Sequence, residues 1–283
     1  MKAAGWHGVL FCLLAACFCL PAEAAPRRIV SMGLCTDQLV MMLADEDTIQ
    51  SVHWVTQEAD DSAMAGRAAR YTANHGLAEE VLRMRPDLVF ADGTTSPLAT
   101  ALLRRQGIPI VTVPVADTFE GTRRNIRQVA AALGRPAKGE AMVADFDAAL
   151  VRTKGALAGE NRRALVYGAN GFSAGVPSLF NDVLTHLGLT NIAARPGMAG
   201  WVSMSVEDVL RADPDLLILG EYRPEAPSQA NLMLEHPALR ALRRDRPVVS
   251  VATNLWNCGT PFVARAAAVL VEQVRGIDTV ARP

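Results

Sequence analysis

The five residues Gly171-Phe172-Ser173-Ala174-Gly175 carry the Gly-x-Ser-x-Gly spacing that, in many hydrolases, lifts a serine Oγ onto a sharp strand-to-helix turn. Such a serine needs an acid and then a histidine downstream, and His236 would have to be brought over from a segment ending in Pro237. Ala169-Asn170 stand between the preceding apolar run and the motif, and Val176-Pro177 separate it from the next helical stretch. That context argues against an elbow. A serine hydrolase using Ser173 is therefore the runner-up reading, and no catalytic residue is assigned. His53 and His75 could each offer an imidazole to a haem iron, but they lie 22 residues apart in loops without ligand spacing, so a solvent-facing role is expected. The chain has no Gly-rich phosphate loop, no His-Glu-x-x-His helix and no paired catalytic carboxylates. Neither a resident metal nor a cofactor is expected.

The unusual side chains gather just after apolar runs, at His53-Trp54, Gly93-Thr94-Thr95, Asn170-Gly171-Phe172-Ser173, Glu221-Tyr222-Arg223 and Thr253-Asn254-Leu255-Trp256. Tyr71 and Trp201 each precede an acidic helix, at corresponding places in a repeat. Open α/β sheets bind ligands beyond the carboxyl ends of their strands. On that ground the ligand contacts are expected at Trp54, Tyr71, Thr94, Thr95, Phe172, Trp201, Tyr222, Arg223, Asn254 and Trp256. Flat rings with a few amides and hydroxyls suit a large, partly apolar ligand. Arg70, Arg195 and Arg223 would favour an anionic one if they point inward.

The elements that must position these residues are organised by a duplication. Glu79-Glu80-Val81-Leu82-Arg83-Met84-Arg85-Pro86-Asp87-Leu88-Val89 returns 128 residues later as Glu207-Asp208-Val209-Leu210-Arg211-Ala212-Asp213-Pro214-Asp215-Leu216-Leu217. Each copy reads as a short helix stopped by proline and followed by an apolar strand. Other strands are expected at Arg28–Ser31, Val52–Val55, Pro109–Val113, Ala164–Gly168 and Val248–Val251. Helices are expected at Thr36–Ala44, Ser96–Gln106, Thr118–Leu133, Ser178–Leu187, Ser205–Ala212 and Pro261–Val274. Strand alternating with helix implies parallel sheets. Ala137 to Leu157, free of proline and apolar at helical spacing, predicts a rod of about 30 Å between the halves. The fold class is thus α/β, with two Rossmann-like lobes of parallel sheet joined by one long inter-lobe helix. The expected boundaries are a signal peptide at 1–24, an N-terminal lobe at 25–134, the connecting helix at 135–159 and a C-terminal lobe at 160–283.

Half the residues are hydrophobic (50%), 20% are charged, and 28 Lys+Arg meet 29 Asp+Glu. This balance excludes a disordered chain and leaves no basic surplus for nucleic acid. Gly8 to Leu20 is an uncharged apolar run of 13 residues, too short to span a bilayer, followed by the small-x-small site Ala22-Glu23-Ala24. Export with cleavage after Ala24 is expected, and a lipoprotein anchored at Cys17 is the alternative. Beyond that segment only Cys35 and Cys258 remain. They could pair in an oxidising compartment or persist as two semi-buried thiols.

Several stretches, in order and spacing, resemble the periplasmic solute-binding proteins of ABC importers, in the class with one long helix between two lobes that serves cobalamin, ferric siderophores and haem. They are Arg28-Ile29-Val30-Ser31, Leu77-Ala78-Glu79 through Val89, Ser178 to Leu184 with Leu187 to Ile192, and Gly200-Trp201-Val202-Ser203 with Ser205-Val206-Glu207. The resemblance implies a monomeric binding protein that is not an enzyme. It would capture a metal chelate, a ferric siderophore or corrinoid before haem, and hand it to a permease dimer with ATPase subunits. It further implies that Glu79 and Glu207 dock into that permease. The Cys35-Thr36-Asp37 opening and the Asn257-Cys258-Gly259 loop depart from the cobalamin binder.

Overall fold

The computed structural model describes residues 25–221 and 233–280. The signal-peptide expectation for 1–24, and the site expectations at Tyr222 and Arg223, lie outside the described residues.

The first lobe is built on five parallel strands: β1 (Ile29–Ser31), β2 (Ile49–His53), β3 (Thr72–Asn74), β4 (Leu88–Asp92) and β5 (Ile110–Val113). Their order across the sheet is β3-β2-β1-β4-β5. Helices α1 (Leu34–Leu43), α2 (Ala65–Ala68), α3 (Ala78–Met84) and α4 (Pro97–Arg105) make the crossovers, and α5 (Phe119–Ala132) follows the last strand. Successive side chains of a strand go to opposite faces, and here both faces are apolar. Ile29, Leu88 and Phe90 join one core with Leu39, Ile126 and Val129, while Val30 and Val89 join another with Val81 and Leu103. A strand covered on both sides reads as an unbroken apolar run, which is why β1 and β4 were visible in the sequence; β2, expected at Val52–Val55, runs instead from Ile49 to His53 before a turn of 3-10 helix at Trp54–Gln57, and the short β3 was not expected.

Helix α6 (Pro136–Val151) follows, and then the second lobe. Its parallel strands are β6 (Arg163–Tyr167), β8 (Thr190–Asn191), β10 (Leu216–Glu221) and β11 (Val248–Ala252), in the order β11-β10-β6-β8. Beside them β7 (Phe172–Ala174) and β9 (Trp201–Ser203) form an antiparallel ribbon. Helices α7 (Leu179–Leu187), α8 (Val206–Ala212), α9 (Pro237–Asp245) and α10 (Phe262–Val280) complete it. Alternation again splits the strands between two cores, Ala164, Val166 and Ile218 on one side and Leu165, Tyr167 and Leu217 on the other.

Helix α6 has 16 residues, against the 21 expected, or about 24 Å of rise. It stops early because Thr153 turns its hydroxyl back on the Leu150 carbonyl and Gly155 takes a left-handed φ of 65°. The chain then runs along the end of α7, with Gly155 N–H donating to the His186 carbonyl. Even so, α6 feeds both lobes: Val143 packs in the first core, Phe146 and Leu150 in the second.

The duplicated segments fold alike. Helices α3 and α8 both end on a left-handed residue, Arg85 at φ 48° and Asp213 at φ 45°. In both lobes the next aspartate reaches the start of the lobe's first strand: Asp87 accepts the Arg28 N–H at 3.0 Å, and Asp215 accepts the Arg163 N–H at 2.9 Å. The guanidinium of that same arginine returns to the helix end, Arg28 onto the carbonyls of Met84 and Arg85, Arg163 onto those of Ala212 and Asp213. A cation thus satisfies carbonyls that a helix C-terminus leaves unpaired.

Asp37, in the first turn of α1, is fully buried and fixes the loop after β2. Its Oδ2 accepts the His53 N–H at 2.6 Å and the Thr56 hydroxyl at 2.5 Å. Burial is the chief cause that raises this carboxyl from 3.8 to about 7, with Asp92 adding repulsion and the hydrogen bonds from Ser31, Thr56 and His53 opposing.

Two outcomes follow for stability. Asp215→Ala should lower the urea-unfolding free energy by about 1–3 kcal/mol, whereas Arg211→Ala, which removes the exposed pair with Asp208, should leave the unfolding curve nearly unchanged. Unfolded, Asp37 ionises near 3.8, so between that value and about 7 the folded chain holds the extra proton. Its contribution to stability therefore falls as pH rises through that window and is level above it. Asp37→Asn should flatten this slope in unfolding curves taken at about pH 4.5 and about pH 7.5.

Candidate functional site

A parallel sheet sends the loops that follow its strands to one edge. In this chain those edges of the two lobes meet. The Asn254 amide, just past β11, donates to the Ala59 carbonyl at 2.8 Å, and the Asn257 amide donates to the Asp61 carbonyl at 2.9 Å. Cys258 is disulfide-bonded to Cys35 at the start of α1, with the Cα atoms 5.2 Å apart. The two cysteines left open by the sequence are therefore paired.

Between the edges lies a hollow of about 410 Å³. The second lobe supplies most of its lining through Val166, Gly168, Phe172, Phe180, Trp201 and Trp256, and the first lobe contributes Asp61. The rings form a continuous wall. Trp256 lies 4.6 Å from Phe180 between centroids, Phe180 lies 5.7 Å from Phe172, and Phe172 meets Trp201 edge to face at 5.8 Å. Each such pair adds about 0.5–1.5 kcal/mol beyond its buried area. Trp256 is 1% exposed and floors the hollow, whereas Trp201 at the rim is 63% exposed. A narrower crevice continues past Trp201 and Phe180 to Val115, Ala116 and Asp117 of the first lobe.

Local structure explains these placements. Phe172 and Trp201 sit at opposite ends of the paired strands β7 and β9, where Ala174 opposes Trp201. Gly175 must be glycine, because a Cβ there would stand 1.8 Å from the Met198 carbonyl oxygen. Phe180 enters from the first turn of α7, whose N-cap Ser178 accepts the Asn181 N–H at 3.1 Å.

Of the expected contacts, the structure brings Phe172, Trp201 and Trp256 together at the hollow. Asn254 is beside them, its amide spent on Ala59. Trp54 and the histidines form a separate group on the first lobe: Trp54 stacks on His75 at 6.3 Å and lies 6.1 Å from His53. His53 is partly buried, which lowers its pKa below the usual imidazole value. His75 pairs instead with Glu80 at 3.1 Å.

Tyr71, Thr94 and Thr95 also lie away from the hollow. Tyr71 packs against the first lobe's core, with its hydroxyl buried. The strands beside Tyr71 and Trp201 explain the error, since β3 joins the main sheet in parallel whereas β9 pairs antiparallel with β7. Thr95 is internal, its hydroxyl held by the Asp92 N–H and the Met32 carbonyl, while Thr94 is exposed with its hydroxyl on Asp92 at 2.6 Å. Arg70 sits 3.7 Å from Glu46 and Arg195 rests on Met198, and neither is among the residues lining the hollow or its crevice.

Ser173 is 0% exposed in the middle of β7, not on a strand-to-helix turn, and His236 is used as a helix cap that accepts the Ala238 N–H. The hydrolase reading is left without support. Phe180, Asp61 and Asn257 were missed. Phe180 looked like an ordinary helix residue, and only its place in the first turn after β7 signals an edge position. Glu79 and Glu207 stand exposed in the first turns of α3 and α8, and neither carboxylate has a partner among the described residues.

Comparison with known proteins agrees with this architecture. The heme-binding protein RhuT from Roseiflexus sp. RS-1 superposes with a TM-score of 0.74 at 22% identity, covering 87% of this chain and 97% of that one. The vitamin B12 binding protein BtuF of Vibrio cholerae gives 0.68 at 19% identity, covering 90% and 98%. A cobalamin-binding protein of Halobacterium salinarum is 22% identical over 253 residues, 87% of this chain and 69% of its own length. An uncharacterized ABC transporter substrate-binding lipoprotein of Bacillus subtilis is 23% identical over 68% of this chain, which spans 63% of that relative's length. Residues 29–246 match the model of the periplasmic binding protein family. The chain is a member of the periplasmic binding protein family.

Proposed function

We propose that the protein is the substrate-binding component of an ABC importer: it captures a metal chelate in the inter-lobe hollow and delivers it to a permease dimer driven by ATPase subunits. The ring wall Trp256–Phe180–Phe172–Trp201 carries this reading. An indole held 63% exposed at the mouth of an apolar hollow is a surface that a large ring system or apolar chelate would cover. Asp117, at the crevice, has the wrong sign for an anionic chelate, so a corrinoid or a ferric siderophore is the proposed cargo before haem.

The protein acts as a monomer after export to the periplasm, freed by cleavage after about Ala24 or, in the alternative, held by a lipid on Cys17. Glu79 and Glu207 present like charges at matched places on the two lobes, and two arginine-bearing permease subunits would read them together. Chemistry is not required of the binding protein.

Two measurements test the proposal. Titration with cyanocobalamin and with a ferric hydroxamate should quench tryptophan fluorescence for one of them, and Trp201→Ala should weaken that binding about tenfold, or about 1.4 kcal/mol. An unchanged signal at saturation with both, and with haemin, would refute capture at this hollow. Glu79→Ala combined with Glu207→Ala should abolish uptake of the bound chelate in cells while leaving its affinity within about twofold. Undiminished uptake would exclude docking through these residues.

A further inference from the structure

One segment of the second lobe, Thr253 to Thr260, touches three loops of the first. Asn254 and Asn257 hold the carbonyls of Ala59 and Asp61, in the loop after β2. Gly259 lies so close to the loop after β5 that a Cβ on it would stand 2.3 Å from the Ala116 Cβ. Cys258, between them, is joined to Cys35 after β1. Both ends of this bridge are firmly rooted. Cys35 lies in the first turn of α1, two residues before the buried Asp37 that fixes His53 and Thr56. Cys258 is 2% exposed, and just beyond it Val263, Ala266 and Leu270 of α10 are buried in the second lobe's core.

The lobes are therefore covalently joined twice, through the main chain at α6 and through this disulfide. Two bodies joined at one place can both bend and twist. A second fixed point leaves only rotation about the line between the two joints. Trp256, the floor of the hollow, sits two residues from Cys258, so the bridge also sets where the ring wall stands against the first lobe.

We propose that the Cys35–Cys258 disulfide is an inter-lobe clamp: it keeps the hollow preformed in the empty protein and confines lobe motion to a single hinge. The asparagine bonds and the Gly259 contact depend on it, because side chain–carbonyl bonds at a partly exposed edge open readily alone. This inference requires no ligand, so it stands or falls apart from the transport reading.

Hydrogen exchange read by mass spectrometry on the empty full chain tests it. In the variant C35S/C258S, amides in 56–61, 115–122 and 253–260 should exchange about tenfold faster or more, while β4 and β10 keep their protection as an internal check of folding. In N254A/N257A, with the disulfide intact, the same amides should change by less than about threefold. Reducing the folded wild-type chain with dithiothreitol gives an arm that does not depend on the serine variant folding. The reagent supplies two electrons and two protons, leaving Cys35 and Cys258 as thiols and itself as a cyclic disulfide. The same local rise is expected there. Unchanged exchange on reduction, or alkylation of both cysteines by iodoacetamide in the untreated native protein, would overturn the clamp.

Discussion

Crossover helices return each parallel strand to the same starting side, so the loops that follow the strands have only one edge to occupy. In this protein two such edges are pressed together, and every other feature depends on that opposition. The ring wall exists because β7 and β9 lie past the edge of the second sheet. The asparagines reach carbonyls of the other lobe because the loops after β2 and β11 share the same gap. Helix α6 holds the opposition from outside by lending Val143 to one core and Phe146 and Leu150 to the other.

The sheets and most helices were legible because both rest on patterns that survive without tertiary information. Strands such as Leu88–Asp92 are buried on both faces and show as apolar runs, while Pro86 and Pro214 stop the helices before them. The repeat was visible for the same reason, and the paired ties of Arg28 with Asp87 and Arg163 with Asp215 give it a physical meaning. What escaped was set by tertiary contact. Strands of two or three residues, such as β3, β7, β8 and β9, have no period to detect. The early stop of α6 depends on a turn packing against α7, far along the chain.

The site was legible in part, and the divide is instructive. Trp201, Trp256 and Phe172, which the structure brings to the hollow, stood out in the sequence because rings after strands are scarce in a chain that is 5% aromatic. Tyr71 was misplaced because likeness within the repeat was extended past the helix–strand unit into strands that pair differently in the two lobes. Phe180 was hidden in a helix whose apolar positions are otherwise core. The disulfide could not be read from two cysteines 223 positions apart, since only the meeting of the two edges brings them together.

The arginine–aspartate ties have a mechanical consequence. Helices α3 and α8 are only two turns long, and a helix that short, left alone, would fray and swing on its loop. Here its far end is riveted to the first strand of the sheet by a guanidinium. Each helix is therefore held at both ends, by its loop and by the sheet, and cannot swing without straining the strand it is tied to.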